Sequence, residues 1–477
     1  MPRISFAVLI FPALLAAQPF AALKSRLDAE FAKSGPASMS VAVARDGRFL
    51  WEQSWGWADK EKKIRATPQT MYSLASISKP ITATVLMTLV EQGKVDLDRP
   101  VTDYLGGAQL RGFAGDPKQA TLRRIANHTS GLPLHYHFFY ADEDRRAPPF
   151  AESIRRYGIL VTPPGEHLQY SNFGFGLLDH VISQVSKQPF EEYARRQVFE
   201  PLGLAGVTVA TKAPEKNHAV RYRVDGRPIT FYDFDHRGAS ALYASAHDLV
   251  RFAFLHVGTL GKDQKRILRE DTLRAMTEPS PVSQYGVAWR VEDRDGVRVL
   301  SHTGGMDGVS TILMLVPSRR TAVAVLCSSQ SDMPGRVARS VLSEVLPDMK
   351  AAWEQRNPQP PPAKPIPPSL AGQWRGKVFT HAGELPFQLV FDGNGGMTAK
   401  LGDEPAVAVT NSSFTDGRIH GAFPGNIKTD DVRQPHRLRF ELTERSGKLS
   451  GPITALSFPK GRGGDALSSF VSLERAP

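Results

Sequence analysis

Cysteine is almost missing from these 477 residues, and the one present, Cys327, has no partner for an internal disulfide. Its neighbours, Val323-Ala324-Val325-Leu326, read as a buried strand, so Cys327 reads as a core residue and not as a nucleophile. Long hydrophobic runs are missing too. The best candidate, 4–17, is broken by Pro12 and is too short to cross a bilayer comfortably. No Gly-x-Ser-x-Gly elbow, phosphate loop or dinucleotide fingerprint occurs, so the chemistries those motifs carry find no support here. No internal repeat suggests a solenoid or propeller. Negative charge is in deficit, with 59 Lys and Arg against 48 Asp and Glu, a net charge of +11. The basic residues are nevertheless scattered, without an arginine-rich helix, zinc finger or RNA-binding signature. The reading is a solvated basic surface, with no nucleic-acid partner and contact with an anionic cell envelope left open.

What is present fits a soluble globular chain: 41% of residues are hydrophobic and 22% charged. The length calls for two domains, one large and one small. Met1-Pro2-Arg3, the apolar stretch after it and Ala16-Ala17 before Gln18 read as a secretory signal peptide over 1–17, which implies an exported, periplasmic or secreted protein. Leu15 stands where a small residue is preferred at a cleavage site, so an uncleaved membrane anchor is the alternative.

Periodicity then predicts a helix over 23–33, a hairpin of strands 39–44 and 49–55, and helices over 81–90, 122–126, 173–185, 189–198 and 246–256. Strands follow over 285–291, 297–302, 309–316 and 321–327, and a helix over 336–346. Strands at both ends of a helical middle imply an α+β domain over 23–350: an antiparallel sheet flanked by helices, with a large helical insertion. Prolines over 357–368 form a stiff linker. Short strands over 374–379, 386–391, 396–401, 406–409, 437–442, 448–454 and 468–473, joined by Gly, Asn and Asp turns, make 369–477 a small all-β barrel or sandwich.

Three short motifs carry chemistry. In Ser76-Ile77-Ser78-Lys79 a hydroxyl and an amine stand three positions apart at the opening of a helix, where one can activate the other and free backbone N–H groups meet developing negative charge. Pro80 fits the first turn of that helix. Tyr170-Ser171-Asn172 places a phenol and an amide at the start of the next helix. The phenol can serve as a base if nearby cations lower its pKa. His302-Thr303-Gly304-Gly305 ends a strand with two glycines, which let a backbone approach a ligand closely and aim the Gly305 N–H toward the same point as that of Ser76.

In this order the three motifs resemble the serine beta-lactamase and penicillin-binding-protein family, and within it the class C beta-lactamase and DD-peptidase branch that also holds esterases and D-aminopeptidases. The phrases His128-Thr129-Ser130-Gly131-Leu132-Pro133, Pro201-Leu202-Gly203-Leu204, Ala241-Leu242-Tyr243-Ala244-Ser245-Ala246-His247-Asp248-Leu249 and Tyr285-Gly286-Val287-Ala288-Trp289 carry the same resemblance. It implies Ser76 as nucleophile, Lys79 and Tyr170 as the proton-handling pair and Asn172 as a contact to a substrate amide. It also implies an oxyanion hole of the Ser76 and Gly305 amides, with His302, Thr303 and Gly304 along the sheet side of the substrate. Which of Lys79 and Tyr170 is the base stays open. Many class C beta-lactamases have Lys-Thr-Gly where this chain has His302. The histidine form points to D-peptides, cell-wall fragments or simple esters and amides more than to antibiotics. Arg290 is a candidate for a substrate carboxylate, or else a surface arginine at a sheet edge. Alternatives to turnover are a penicillin sensor that acylates without deacylating and a non-catalytic envelope scaffold. No cofactor and no metal are expected. His135 and His137 stand two apart without a third ligand at metal spacing, and read as a loop lining. Glu166, in a Pro-Gly-Glu turn, reads as structural.

Overall fold

The computed structural model describes residues 20–354, 364–457 and 462–477. The expected signal peptide over 1–17 and most of the proline linker lie outside them. Among the described residues no helix is long and apolar enough to cross a membrane.

The first hairpin, Ser38–Arg45 and Arg48–Asp59, turns at Asp46 and Gly47, both with positive φ (54° and 71°), the conformation of a tight two-residue connection. In the sheet Ser38–Arg45 lies beside Thr321–Cys327. Val309–Val316, Val297–Met306 and Arg290–Arg294 follow in antiparallel order. Both ends of the domain's chain thus meet at the centre, as the pattern predicts.

The two faces of the central strands differ in size. Met39, Val41, Val43, Val323, Val325 and Cys327 pack under the helices Ala21–Ser34 and Met333–Val345. Ala42, Ala44, Ala322 and Ala324 face the other way, and small side chains there let the helix Ala246–His256 settle close. Cys327 is buried, as read.

The helical insertion is built round Ser78–Glu91, buried on all sides from Ser78 to Leu89, and round Asn172–Ser186 packed against it. A helix Phe150–Tyr157 was not expected. The 189–198 helix is Phe190–Ala194 running into a π-helical turn Arg195–Phe199. The expected strand over 285–291 is corrected: the strand is Arg290–Arg294, and 285–289 form a turn. There the Gly286 N–H bonds to the Trp289 carbonyl (2.8 Å), Ala288 has φ +65°, and Trp289 is buried. The apolar run marks a packed corner and not an alternating strand.

The C-terminal sheet has nine antiparallel strands, in which Gly372–Phe379 pairs with the last strand, Ala466–Arg475. Thr410–Thr415 and Arg418–Pro424 add to those expected. The two outer strands, Val407–Ala408 and Thr410–Thr415, are separated only by Val409, so the sheet curls until its edges almost meet as a barrel.

This barrel grips the larger domain. Tyr136 and Ala466 exchange backbone hydrogen bonds (2.9 and 2.8 Å), and the Phe113 and Phe470 rings stack at 5.4 Å. Arg433 bridges the Phe138 carbonyl, Glu143 and Asp465, with contacts of 2.6–2.7 Å. Glu166 pairs with Arg445 of the barrel (3.0 Å), in keeping with a structural role.

Candidate active site

Ser76 sits in a 3₁₀ turn, Ala75–Ile77, that leads directly into the helix Ser78–Glu91. Ala75 has φ +48°, an unfavourable conformation for a residue with a Cβ, which persists only because its surroundings fix it. Those surroundings are two strands. The Leu74 N–H bonds to the Leu242 carbonyl (2.9 Å), and the Leu74 carbonyl accepts from Thr311 Oγ1 (3.0 Å). Gly304 passes so near this turn that a Cβ would collide with the Leu74 carbonyl oxygen and Thr311 Oγ1. At Gly305 a Cβ would meet nothing within 4 Å, and the residue is exposed. Strand alternation therefore turns His302 and Gly304 inward, while Thr303 and Gly305 face out on the side of the Ser76 turn.

Lys79, three residues after Ser76, is completely buried. Its Nζ lies 3.1 Å from Ser76 Oγ, 2.8 Å from Asn172 Oδ1 and 3.1 Å from the Ala239 carbonyl. Burial without a carboxylate partner holds its pKa well below the usual lysine range. The short helix Arg237–Ser240 that presents the Ala239 carbonyl is tied down by Asp179, whose Oδ2 accepts from the Gly238 N–H (2.5 Å).

Asn172 is positioned by its neighbour. Ser171 caps the helix Asn172–Ser186, accepting from the Gly174 N–H (2.8 Å) and donating to the Pro133 carbonyl (2.6 Å). Asn172 Nδ2 donates to the His135 carbonyl (3.0 Å), so its Oδ1 faces Lys79. Both polar atoms of this amide are engaged within the protein, and its direct effect is to hold the lysine.

The Tyr170 ring lies against Lys79, whose Nζ is 5.0 Å from the ring centroid, and packs on His128 at 4.2 Å. Burial and the nearby Tyr136 raise its pKa well above 10, with hydrogen bonding to Ser76 as a weaker opposing influence. This departs from the sequence expectation of a cation-lowered phenol. Burial lowers the pKa of the neighbouring amine as well, so the cation that would stabilise a phenolate is itself disfavoured.

His302 is buried, and burial lowers its pKa to about 3. Its Nδ1 lies 2.7 Å from the Thr303 carbonyl, which only accepts. The proton is therefore on Nδ1, and Nε2 keeps a free lone pair without a protein partner. Arg290 pairs across from Ser301 in the sheet, but Glu292 (2.7 Å) and Gln284 (3.1 Å) hold its guanidinium, so an incoming carboxylate competes with Glu292 for it.

The sequence reading passed over His128, Tyr136, Ala239 and Tyr285. His128 and Tyr285 stand within phrases singled out for the resemblance, and both pack against Tyr170. Tyr136 and Ala239 left no signal in the sequence, because what each contributes is a placement made by distant strands. A cavity of about 530 Å³ opens beside Gly305, walled by Tyr136, Phe138 and Met306 and, from the barrel, by Arg462, Gly463 and Gly464.

A family model described as Beta-lactamase matches residues 23–345. Protein flp of Staphylococcus aureus (strain MW2) is 21% identical over 315 residues, which cover 64% of this chain and 62% of that protein, less than two thirds of its length. Among solved structures, the octameric penicillin-binding protein homologue from Pyrococcus abyssi aligns with a TM-score of 0.60 at 20% identity. That alignment covers 94% of this chain, barrel included, and 99% of that one. The D-amino acid amidase from Ochrobactrum anthropi SV3 complexed with D-phenylalanine aligns with a TM-score of 0.57 at 23% identity, covering 70% of this chain and 100% of that one. At these identities the structural likeness is one of fold.

Proposed function

Because the chain belongs to the beta-lactamase family, we propose that it is an exported serine hydrolase that cleaves small esters or amides of D-amino acids through an acyl-enzyme on Ser76. The observation that carries this reading is the set of contacts at Lys79 Nζ. A neutral amine has two N–H groups and one lone pair, and of its three neighbours the Asn172 and Ala239 oxygens can only accept. Whereas a charged ammonium donates to all three oxygens, with the amine neutral the remaining contact runs the other way, the Ser76 hydroxyl donating to the lysine. That is the geometry of a base already holding the proton it is to remove.

In the proposed sequence Ser76 Oγ attacks the substrate carbonyl as its proton passes to Lys79. The backbone N–H groups of Ser76 and Gly305 receive the oxyanion. Tyr170, protonated at rest, gives its proton to the leaving amine or alcohol and regains one from Lys79. Both groups are then neutral again. Water attacks the acyl-enzyme with Tyr170 and Lys79 taking its proton and returning one to Ser76. The apolar wall of Tyr136, Phe138 and Met306 supports an aromatic or aliphatic acyl side chain, and the fold shared with a D-amino acid amidase favours the D configuration.

The test is hydrolysis of D- and L-phenylalanine p-nitroanilide and methyl ester, with intact-mass analysis after brief exposure to benzylpenicillin. We expect turnover of the D substrates that vanishes in Ser76→Ala. A penicillin adduct that forms at Ser76 and persists, with no turnover of any substrate, would replace the hydrolase by a sensor. Equal rates in wild type and Ser76→Ala would remove the catalytic assignment.

A further inference from the structure

Behind the active site, on the far side of Asn172, lies a buried cluster that the proposed mechanism does not use. Asp235 follows directly after the strand Tyr232–Phe234, and its carboxylate has no exposed surface. His135 Nε2 lies 2.8 and 3.0 Å from its two oxygens, and His137 Nδ1 is 3.8 Å from Oδ2. The Ser153 hydroxyl donates to Oδ2 (2.6 Å), and His236 Nδ1 is 2.7 Å from Oδ1. Among the described residues Asp235 makes no ion pair with a lysine or arginine.

The His137 contact is the informative one. At 3.8 Å it is too long for a hydrogen bond, yet its Nδ1 is buried and has no hydrogen-bond partner among the described residues. The second nitrogen of that ring, Nε2, has only a marginal neighbour, Arg145 Nη2 at 3.5 Å. The short bond of that Nη2 goes to the Asp431 carbonyl (2.5 Å). Two ligands of a tetrahedral Zn²⁺ ion, each about 2.0–2.2 Å from it, stand about 3.4 Å apart. The donor atoms of His135, His137 and Asp235 all lie within 4.8 Å of one another, so closing on an ion requires movement of at most about 1.4 Å across the widest pair. Two imidazoles and a carboxylate suit Zn²⁺ or Co²⁺, and Ser153 and His236 already stand behind the carboxylate as outer partners that fix its orientation.

We propose that His135, His137 and Asp235 form a binding site for a divalent transition-metal ion of the Zn²⁺ type. The ion would tie the loop carrying His135 to the segment that follows strand Tyr232–Phe234. The His135 carbonyl is the partner of Asn172 Nδ2, so the metal would also steady the amide that holds Lys79. Binding itself does not depend on the proposed reaction; only this link to catalysis does.

The test is a Co²⁺ titration of the full chain after dialysis against a chelator, read by the ligand-field absorption of Co²⁺, with elemental analysis of the protein as purified and thermal melts with and without metal. We expect saturation at one Co²⁺ per chain, displacement by Zn²⁺ and a higher melting midpoint with metal bound. The signal should be lost in His137→Gln and kept in His247→Gln, a histidine outside the cluster. Because Asp235→Asn removes a buried network and can fail to fold, the wild type and His137→Gln decide. A wild type that melts cooperatively yet binds less than a tenth of an equivalent overturns the proposal, as does undiminished binding in His137→Gln. With the metal removed, kcat for the D-ester should fall several-fold with KM little changed. If metal binds and kcat does not move, the site stands and its link to Asn172 falls.

Discussion

Lys79 shows how one burial serves folding and chemistry at once. Its side chain is completely buried within the helical core, and burial without a carboxylate partner pushes the pKa of its amine well below the usual lysine range. The reaction needs the neutral amine, so kcat/KM should rise with pH through one ionisation below the usual lysine range and then level off. Lys79→Arg, whose guanidinium stays charged, should lose about 10³-fold of activity; a variant keeping a tenth of the wild-type rate would argue that Lys79 is not the proton acceptor. His302 gives a second expectation. Its pKa falls from 6.5 to about 3 on folding. Between those values the unfolded chain binds a proton that the folded chain refuses, so stability declines as pH drops through this window. One such group is worth at most about 1.4 kcal/mol per pH unit. Denaturant melts between pH 7 and pH 4 should show a shallower decline in His302→Gln, and an unchanged slope would mean that the imidazole stays charged in the fold. Ser76, Lys79 and Tyr170 were legible as candidates in the sequence because local spacing at helix openings marks them, and the structure brings them together. The state of the phenol was not, because it depends on which groups the fold leaves uncharged beside it.

Among the elements, the strand Val297–Met306 meets the nucleophile turn most closely, and its two glycines have different reasons to be there. Gly304 is required by contact with Leu74 and Thr311, while Gly305 faces open space. Gly304→Ala should displace the turn that carries Ser76, costing about 1–3 kcal/mol of stability and at least tenfold in kcat. Gly305→Ala should fold with a melting temperature close to wild type. Equal stability losses in the two variants would contradict this division. Alternation and helical period found the long elements to within a few residues. They failed at 285–289, where an apolar run packs as a corner, at 410–415, whose polar residues hide a barrel strand, and at 418–424, where Gly421 and Pro424 interrupt the apolar pattern of another.

At the scale of the molecule, the barrel braces the larger domain by holding the loop that carries Tyr136. Asp465 is buried, accepts from the Phe138 N–H (2.9 Å) and pairs with Arg433 at 2.6 Å. Asp465→Ala leaves a mostly buried guanidinium and a buried N–H without this partner, and should destabilise the protein by about 3–5 kcal/mol. Adding Arg433→Met should recover part of that loss, measured by urea melts. A double variant no more stable than Asp465→Ala would mean that the pair does not act as a unit. By itself the sequence determined the order of chemical motifs, the pattern of a mixed region followed by a small all-β one, and the residues proposed to form an acyl-enzyme. These rest on patterns that repeat or sit close along the chain. Only the tertiary structure decided that burial lowers the Lys79 pKa, that Asn172 supports its amine, that Asp235 joins His135 and His137, and that the barrel walls the cavity beside Gly305. Each of these depends on desolvation or on contact between segments far apart in the chain, which local spacing does not encode.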